Sequence, residues 1–108
     1  MNTKIKFVYK DVPYTLEYSR DAIRQMEQVG FSLTEFTKKP MSNLDTAFKG
    51  LFLKNHKRTN DKLVEEIYQN MSNKDALIEK ILIMLSEAYD TLFDENDSNE
   101  GNIEWDVA

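Results

Sequence analysis

Cysteine is absent from this 108-residue chain, which removes disulfide frameworks, thiolate metal sites and thiol nucleophiles together. Glycine is nearly as scarce: three residues leave no loop that could wrap a phosphate, so there is no nucleotide-binding signature. No long apolar run exists either. The longest, Ile81 to Leu85, is far short of a membrane span, and the amino-terminal MNTKIKFVYK alternates charged and apolar residues where a signal peptide needs a continuous apolar stretch. The expectation is a soluble, cytoplasmic protein with no membrane partner.

Groups for chemistry are thin as well. The single histidine, His56, lies in a Lys/Arg-rich stretch with no carboxylate or hydroxyl partner close in sequence, and reads as a surface histidine rather than a general base or metal ligand. Carboxylate neighbours such as Glu65 and Glu66 point in different directions on a helix, so glycosidase-type acid/base work has no support. Asp94, Asn96 and Ser98 imitate the start of a calcium loop, but Asn99 stands where that loop needs glycine and Trp105 where it needs a bidentate glutamate. No catalytic, cofactor-binding or metal residue is expected, no cofactor is implied, and the chain reads as a non-enzyme.

The net charge of −5 is concentrated at one end. Asp94, Glu95, Asp97, Glu100, Glu104 and Asp106 follow Phe93 without a basic partner; removing those six from nineteen acids leaves thirteen against fourteen bases. The body is therefore near neutral. Acidic balance argues against binding to a phosphate backbone, and the basic cluster Lys54, His56, Lys57, Arg58 and Lys62 lacks interleaved aromatics, so it reads as a solvated loop and nucleic acid as an unlikely partner.

Period-two patterning marks two strands: Ile5, Phe7 and Tyr9, then Tyr14, Leu16 and Tyr18, separated by Lys10-Asp11-Val12-Pro13 as the turn of an antiparallel hairpin. Helical spacing holds from there on. Ser19 caps a helix over Arg20–Val29 that Gly30 ends; Ser32 caps about one turn before Pro40; Ser42 opens a helix with Leu44, Ala47, Phe48, Leu51 and Phe52 on one stripe. Gly50 in that helix marks a close helix crossing or a tolerated defect. After the polar connection NHKRTND, Leu63, Val64, Ile67, Tyr68 and Met71 mark a short helix. Ser72 and Asp75 resemble a capping box for a last helix that runs to about Phe93.

The fold class is α+β: an amino-terminal antiparallel β-hairpin packed on a mostly α-helical body over residues 1–93, with a disordered acidic carboxy-terminal tail over 94–108. The last helix is apolar over about half its circumference, as a central or interface helix would be. Ile83 falls on its polar arc among Glu79, Ser86, Glu87 and Asp90; it is either an ordinary exposed isoleucine or a contact for self-association or a partner. In the tail, Ile103, Trp105 and Val107 alternate with Glu104 and Asp106, a solvated terminus or a short motif that docks on a partner when it orders.

The hairpin ending YTLEYSR, the helix RDAIRQMEQVGF, the KPMS lead into a helix ending GLFLKNH, the EEIYQNM helix, the TLFDE exit and the acidic tail with a late tryptophan resemble small proteins of phages and prophages of Gram-positive bacteria. Such proteins resemble the tail assembly chaperones of long-tailed, siphovirus-type phages. The resemblance implies a protein of the host bacterial cytoplasm that binds the tape measure protein, helps recruit major tail (tube) protein subunits, and is not expected in the mature virion. From a different class, a phage-encoded regulator or inhibitor that binds a host protein or nucleic acid is the alternative.

Overall fold

The computed structural model describes the backbone of residues 3–98 and the side chains of residues 3–90. Two strands, β1 (Ile5–Tyr9) and β2 (Val12–Leu16), are followed by α1 (Arg20–Gln28), α2 (Leu33–Lys38), α3 (Pro40–Gly50), α4 (Asp61–Asn70) and α5 (Lys74–Ser98). The expected hairpin on a helical body is what forms, and no strand follows Leu16 among the described residues.

The hairpin closes through two residues only. Lys10 and Asp11 both have positive φ (50° and 66°), as a type I′ turn requires, and that turn matches the right-handed twist of the strands. Lys10 has no intrinsic liking for this region, but its Nζ is held 2.9 Å from Glu66 of α4 and lies over the Tyr9 ring. The register pairs Tyr9 with Val12, Val8 with Pro13, Phe7 with Tyr14, Lys6 with Thr15 and Ile5 with Leu16. In a two-residue hairpin the pair flanking the turn is hydrogen-bonded and the pairs alternate from there, so Pro13 falls at a position whose nitrogen faces away from β1. Its missing N–H is no loss there.

The outward-facing groups that follow Pro13 along β2 are all taken up by the segment after α3. Thr15 N–H donates to His56 Nε2 at 3.0 Å, Thr15 C=O accepts from Asn55 Nδ2 at 3.1 Å, and Glu17 N–H donates to the Leu51 carbonyl at 3.3 Å. That segment can reach because α3 ends in a tightened coil: the N–H groups of Leu51, Phe52 and Leu53 bond back three residues, to Phe48, Lys49 and Gly50. The tightening leaves the Ala47 carbonyl without its usual helical donor. Tyr18 supplies one, its buried hydroxyl donating to Ala47 at 2.5 Å, and burial pushes the Tyr18 phenol well above its ordinary range.

One apolar core joins the hairpin to all five helices, with Leu16, Phe36, Leu51, Ile81 and Leu85 essentially solvent-free. α1 delivers Ala22, Ile23 and Met26 to it and ends in a Schellman motif: Gly30 at φ +97° donates to Glu27 C=O and Phe31 N–H donates to Met26 C=O, each at 3.0 Å. Met26 and Phe31, the residues at the two ends of that bond, are both buried in the core.

Four boundaries differ from the sequence expectation. β2 is Val12–Leu16, so Val12 and Pro13, read as turn, pair within the strand and Tyr18 lies beyond it, because Lys10 and Asp11 alone close the turn. α3 begins at Pro40, not Ser42, because proline at the first helical position gives up an N–H that would be unpaired anyway and already has the helical φ. α5 is capped by Asn73, whose Oδ1 accepts from Ala76 N–H at 3.4 Å, not by the Ser72 capping box. Asn73 adopts φ +53°, a conformation asparagine tolerates better than serine. The backbone of α5 also continues through Asp94–Ser98, which the composition assigns to the disordered tail; extending a helix that already exists needs far less than starting one. Residues 99–108 of that tail lie outside the described residues.

Gly50 resolves in favour of a close crossing. A Cβ built there would overlap Met26 Sδ and lie 2.9 Å from Met26 Cγ, and Met26 is only 2% exposed, so it has little room to yield. Gly50→Ala is expected to lower stability by about 1–3 kcal/mol through overpacking, despite alanine's better helix propensity. Combined with Met26→Ala, its penalty should shrink or vanish, so urea denaturation of the two single variants and the double should show clear non-additivity.

Candidate functional site

The polar cluster under β2 is the first place to look for chemistry, because Glu17 is a buried charged side chain, 4% exposed. Lys54 Nζ donates to its Oε1 at 3.0 Å, Asn55 Nδ2 donates to its Oε2 at 2.9 Å, and Lys4 Nζ stands 3.9 Å away. Burial alone would raise the Glu17 pKa; the Asn55 and Lys54 hydrogen bonds, with the charges of Lys54 and Lys4, outweigh it and hold the carboxyl below its ordinary range. His56 beside it is half-buried, its ring centroid 4.9 Å from that of Tyr14 and tilted by 51°, and its Nε2 is already accepting from Thr15 N–H. Every group is engaged in fixing the strand edge. The sequence reading of His56 as a plain surface residue is therefore corrected: it is a structural ligand for the backbone of β2, 41 residues away.

The basic cluster dissolves in the same way. Lys54 and His56 turn inward to Glu17 and Thr15, which leaves Lys57, Arg58 and Lys62 exposed around the connection. Among the described residues no group of three or more His, Cys, Asp or Glu could hold a metal ion, and no helix is long and apolar enough to cross a membrane.

What the fold does form is an open groove of about 560 Å³ between α1, α3 and α4. Met26, Leu44, Phe48 and Val64, all buried core residues, make its floor. Val29, 74% exposed at the end of α1, stands on its wall, and Tyr68 adds a half-buried ring packed edge-on against Phe48. The rim is mainly acidic: Asp45, Asp61 and Glu65 with one cation, Lys49, which is tied to Asp61 at 2.5 Å. An apolar trough with an acidic rim suits an amphipathic helix whose apolar stripe is flanked by basic residues.

The residues singled out from sequence are not part of this groove. Ile83 is on α5, 48% exposed as its position on the polar arc implied, and α5 contributes nothing to the groove lining. Ile103, Trp105 and Val107 lie outside the described residues. Sequence reasoning missed the groove because its floor residues are the core-facing stripes of three helices, and only their crossing shows which part of each stripe stays uncovered. It missed Glu17 because a glutamate among strand residues looks like any solvent-facing position.

Over residues 1–108 the chain matches a family described as "Domain of unknown function (DUF5055)". The chain belongs to the DUF5055 family. No curated protein and no solved structure matches it. Membership covers hairpin, helices and tail together, and it carries no activity with it.

A carboxyl whose folded pKa is depressed contributes stability above its unfolded pKa, ordinarily about 4.5, and loses it as pH falls through the lower folded value. Glu66, held down by its hydrogen bonds from Tyr9 and then Lys10, adds in the same direction. The acid limb of a urea-midpoint titration should thus be shallower in Glu17→Gln than in the parent, while Glu17→Ala, which removes the hydrogen bonds to Asn55 and Lys54, should lower neutral-pH stability by about 2 kcal/mol. Ile83→Glu should leave the melting temperature unchanged; a change in assembly state by light scattering identifies Ile83 as an interface residue, and its absence makes it an ordinary surface isoleucine.

Proposed function

We propose that this protein is a tail assembly chaperone of a long-tailed phage. It binds the tape measure protein in the host cytoplasm, keeps that chain's apolar helices soluble and helps bring tail tube subunits to it. The observation that supports this reading best is the open apolar groove between α1, α3 and α4, with Val29 exposed on its wall. A tape measure chain is long, helical and rich in apolar surface, and such a chain aggregates unless something covers its stripe before the tube polymerises around it. The acidic rim and the acidic residues after Phe93 add charge that keeps the complex soluble.

The test is co-expression with the tape measure protein of the same phage. The expected outcome is a higher soluble yield of the tape measure protein and its co-purification, against a control protein of similar size and charge, because any acidic companion can improve solubility. Val29→Lys, at a position exposed enough to leave stability within about 0.5 kcal/mol, should abolish co-purification. A tape measure protein that is equally insoluble with and without this chain, and a tail tube protein that does not bind it, would overturn the proposal.

A further inference from the structure

The two edges of the hairpin are treated differently. The outward groups of β2 after Pro13 are taken by the segment after α3, whereas the N–H and C=O of Lys6 and Val8, which point away from β2 in this register, have no hydrogen-bond partner among the described residues. Lys6 is exposed and Val8 is 68% exposed, so this stretch of the edge is open to solvent. An unpaired strand edge is a template for another strand, and lysine is a common guard against indiscriminate pairing.

The guard here has one sign, which makes it selective. Lys4, Lys6 and Val8 lie on the face of β1 opposite to Ile5, Phe7 and Tyr9. Lys6 has no ion-pair partner among the described residues, and Lys4 shares the single carboxylate of Glu17 with Lys54, which is nearer to it (3.0 Å against 3.9 Å). That face is therefore net cationic. Lys10, at the turn, is balanced by Glu66 at 2.9 Å. A second copy of β1 would bring like charge against like, and a basic strand would do the same. On the other face Ile5, Phe7 and Tyr9 are half-buried, because the sheet has two strands and ends beside them. An added strand thus meets backbone groups to pair, an apolar face to extend and a cationic face to neutralise. Acids at alternate positions with apolar residues between them satisfy all three.

We infer that the open edge of β1 is a docking site for an extended segment of another protein that alternates acidic and apolar residues, its acids beside Lys4 and Lys6 and its apolar residues beside Ile5, Phe7 and Tyr9. The added strand runs antiparallel to β1, the direction that pairs more stably and that the hairpin already uses. No hairpin residue lines the groove between α1, α3 and α4, so the two surfaces stand or fall separately.

The probe is a fluorescein-labelled heptapeptide of alternating valine and glutamate, titrated with the full chain and followed by fluorescence anisotropy. The protein should bind it, more tightly at low salt, and should not bind the same peptide with lysine in place of glutamate. In antiparallel pairing the glutamates stand opposite Lys6 and Val8 and turn their N–H groups toward β1, so N-methylation of the glutamates should abolish binding while N-methylation of the valines should leave it. This pair of peptides tests the edge without altering the protein. Lys6→Glu should weaken binding of the acidic peptide about tenfold. Val8→Pro, which removes an outward N–H at an edge position that tolerates proline, should abolish it, each variant keeping the far-UV circular dichroism spectrum of the parent. No binding at millimolar peptide, equal binding of the lysine peptide, or an affinity indifferent to glutamate N-methylation and to both substitutions would each overturn the inference. So would a concentration-dependent dimer that Val8→Pro dissociates, which would make a second copy the occupant of the edge.

Discussion

A two-stranded hairpin of five-residue strands cannot hold itself together in water, and this one persists because the coil after α3 closes the outer edge of β2 while the core takes its apolar face. The closure involves backbone groups on both sides, so it fixes position as well as energy. Glu17 is the pivot. Its N–H is anchored to the Leu51 carbonyl, and its carboxylate gathers Lys54 and Asn55 from the same coil, so the strand end and the helix exit are bound at two points. Burying a carboxylate is unfavourable until its oxygens are satisfied. Here both are, and among the described side chains no buried polar atom lacks a partner.

The tightened end of α3 is the other half of that constraint. By bonding back three residues instead of four, Leu51 to Leu53 bend the chain toward β2 and release the Ala47 carbonyl, which only a donor from outside the helix can satisfy. Tyr18, in the three-residue link between the hairpin and α1, reaches it across 29 positions. The hairpin and α3 are therefore locked by groups that each solve a backbone problem created by another, and removal of the Tyr18 hydroxyl leaves the Ala47 carbonyl unpaired inside the core.

Much of this fold was legible in the sequence because it depends on local chemistry. Alternation marked the two strands, Ile5–Tyr9 as it forms and the second, read as Tyr14–Tyr18, two residues late; Gly30 marked the end of α1 through a positive φ that only glycine adopts freely, and Ser19 and Ser32 cap the helices they precede, with their hydroxyls accepting from Ala22 and Glu35. The errors fell where two local rules competed. Pro40 and Ser42 both open helices, and proline prevailed because it is preorganised; Ser72 and Asn73 both cap, and the position needs the left-handed backbone that asparagine accepts. What could not be read were pairings over long separations, such as Thr15 with His56 or Glu17 with Lys54, since nothing near either partner distinguishes it from a solvated residue. The same limit hid the groove, which exists only once three amphipathic helices cross.

That crossing explains why the groove has a definite shape. Gly50 brings the backbone of α3 against Met26 of α1 more closely than any side chain would allow, and both residues line the groove. On the other side, Lys49 bridges from α3 to Asp61 at the start of α4, directly after the Asn60 cap that accepts from Leu63 N–H at 2.8 Å. The walls thus meet at the packed Gly50–Met26 contact on one side and at the exposed Lys49–Asp61 ion pair on the other. A cleft whose walls are preformed in this way spares a partner that fills it the ordering of those walls. That preorganisation is the property of the groove on which binding can act.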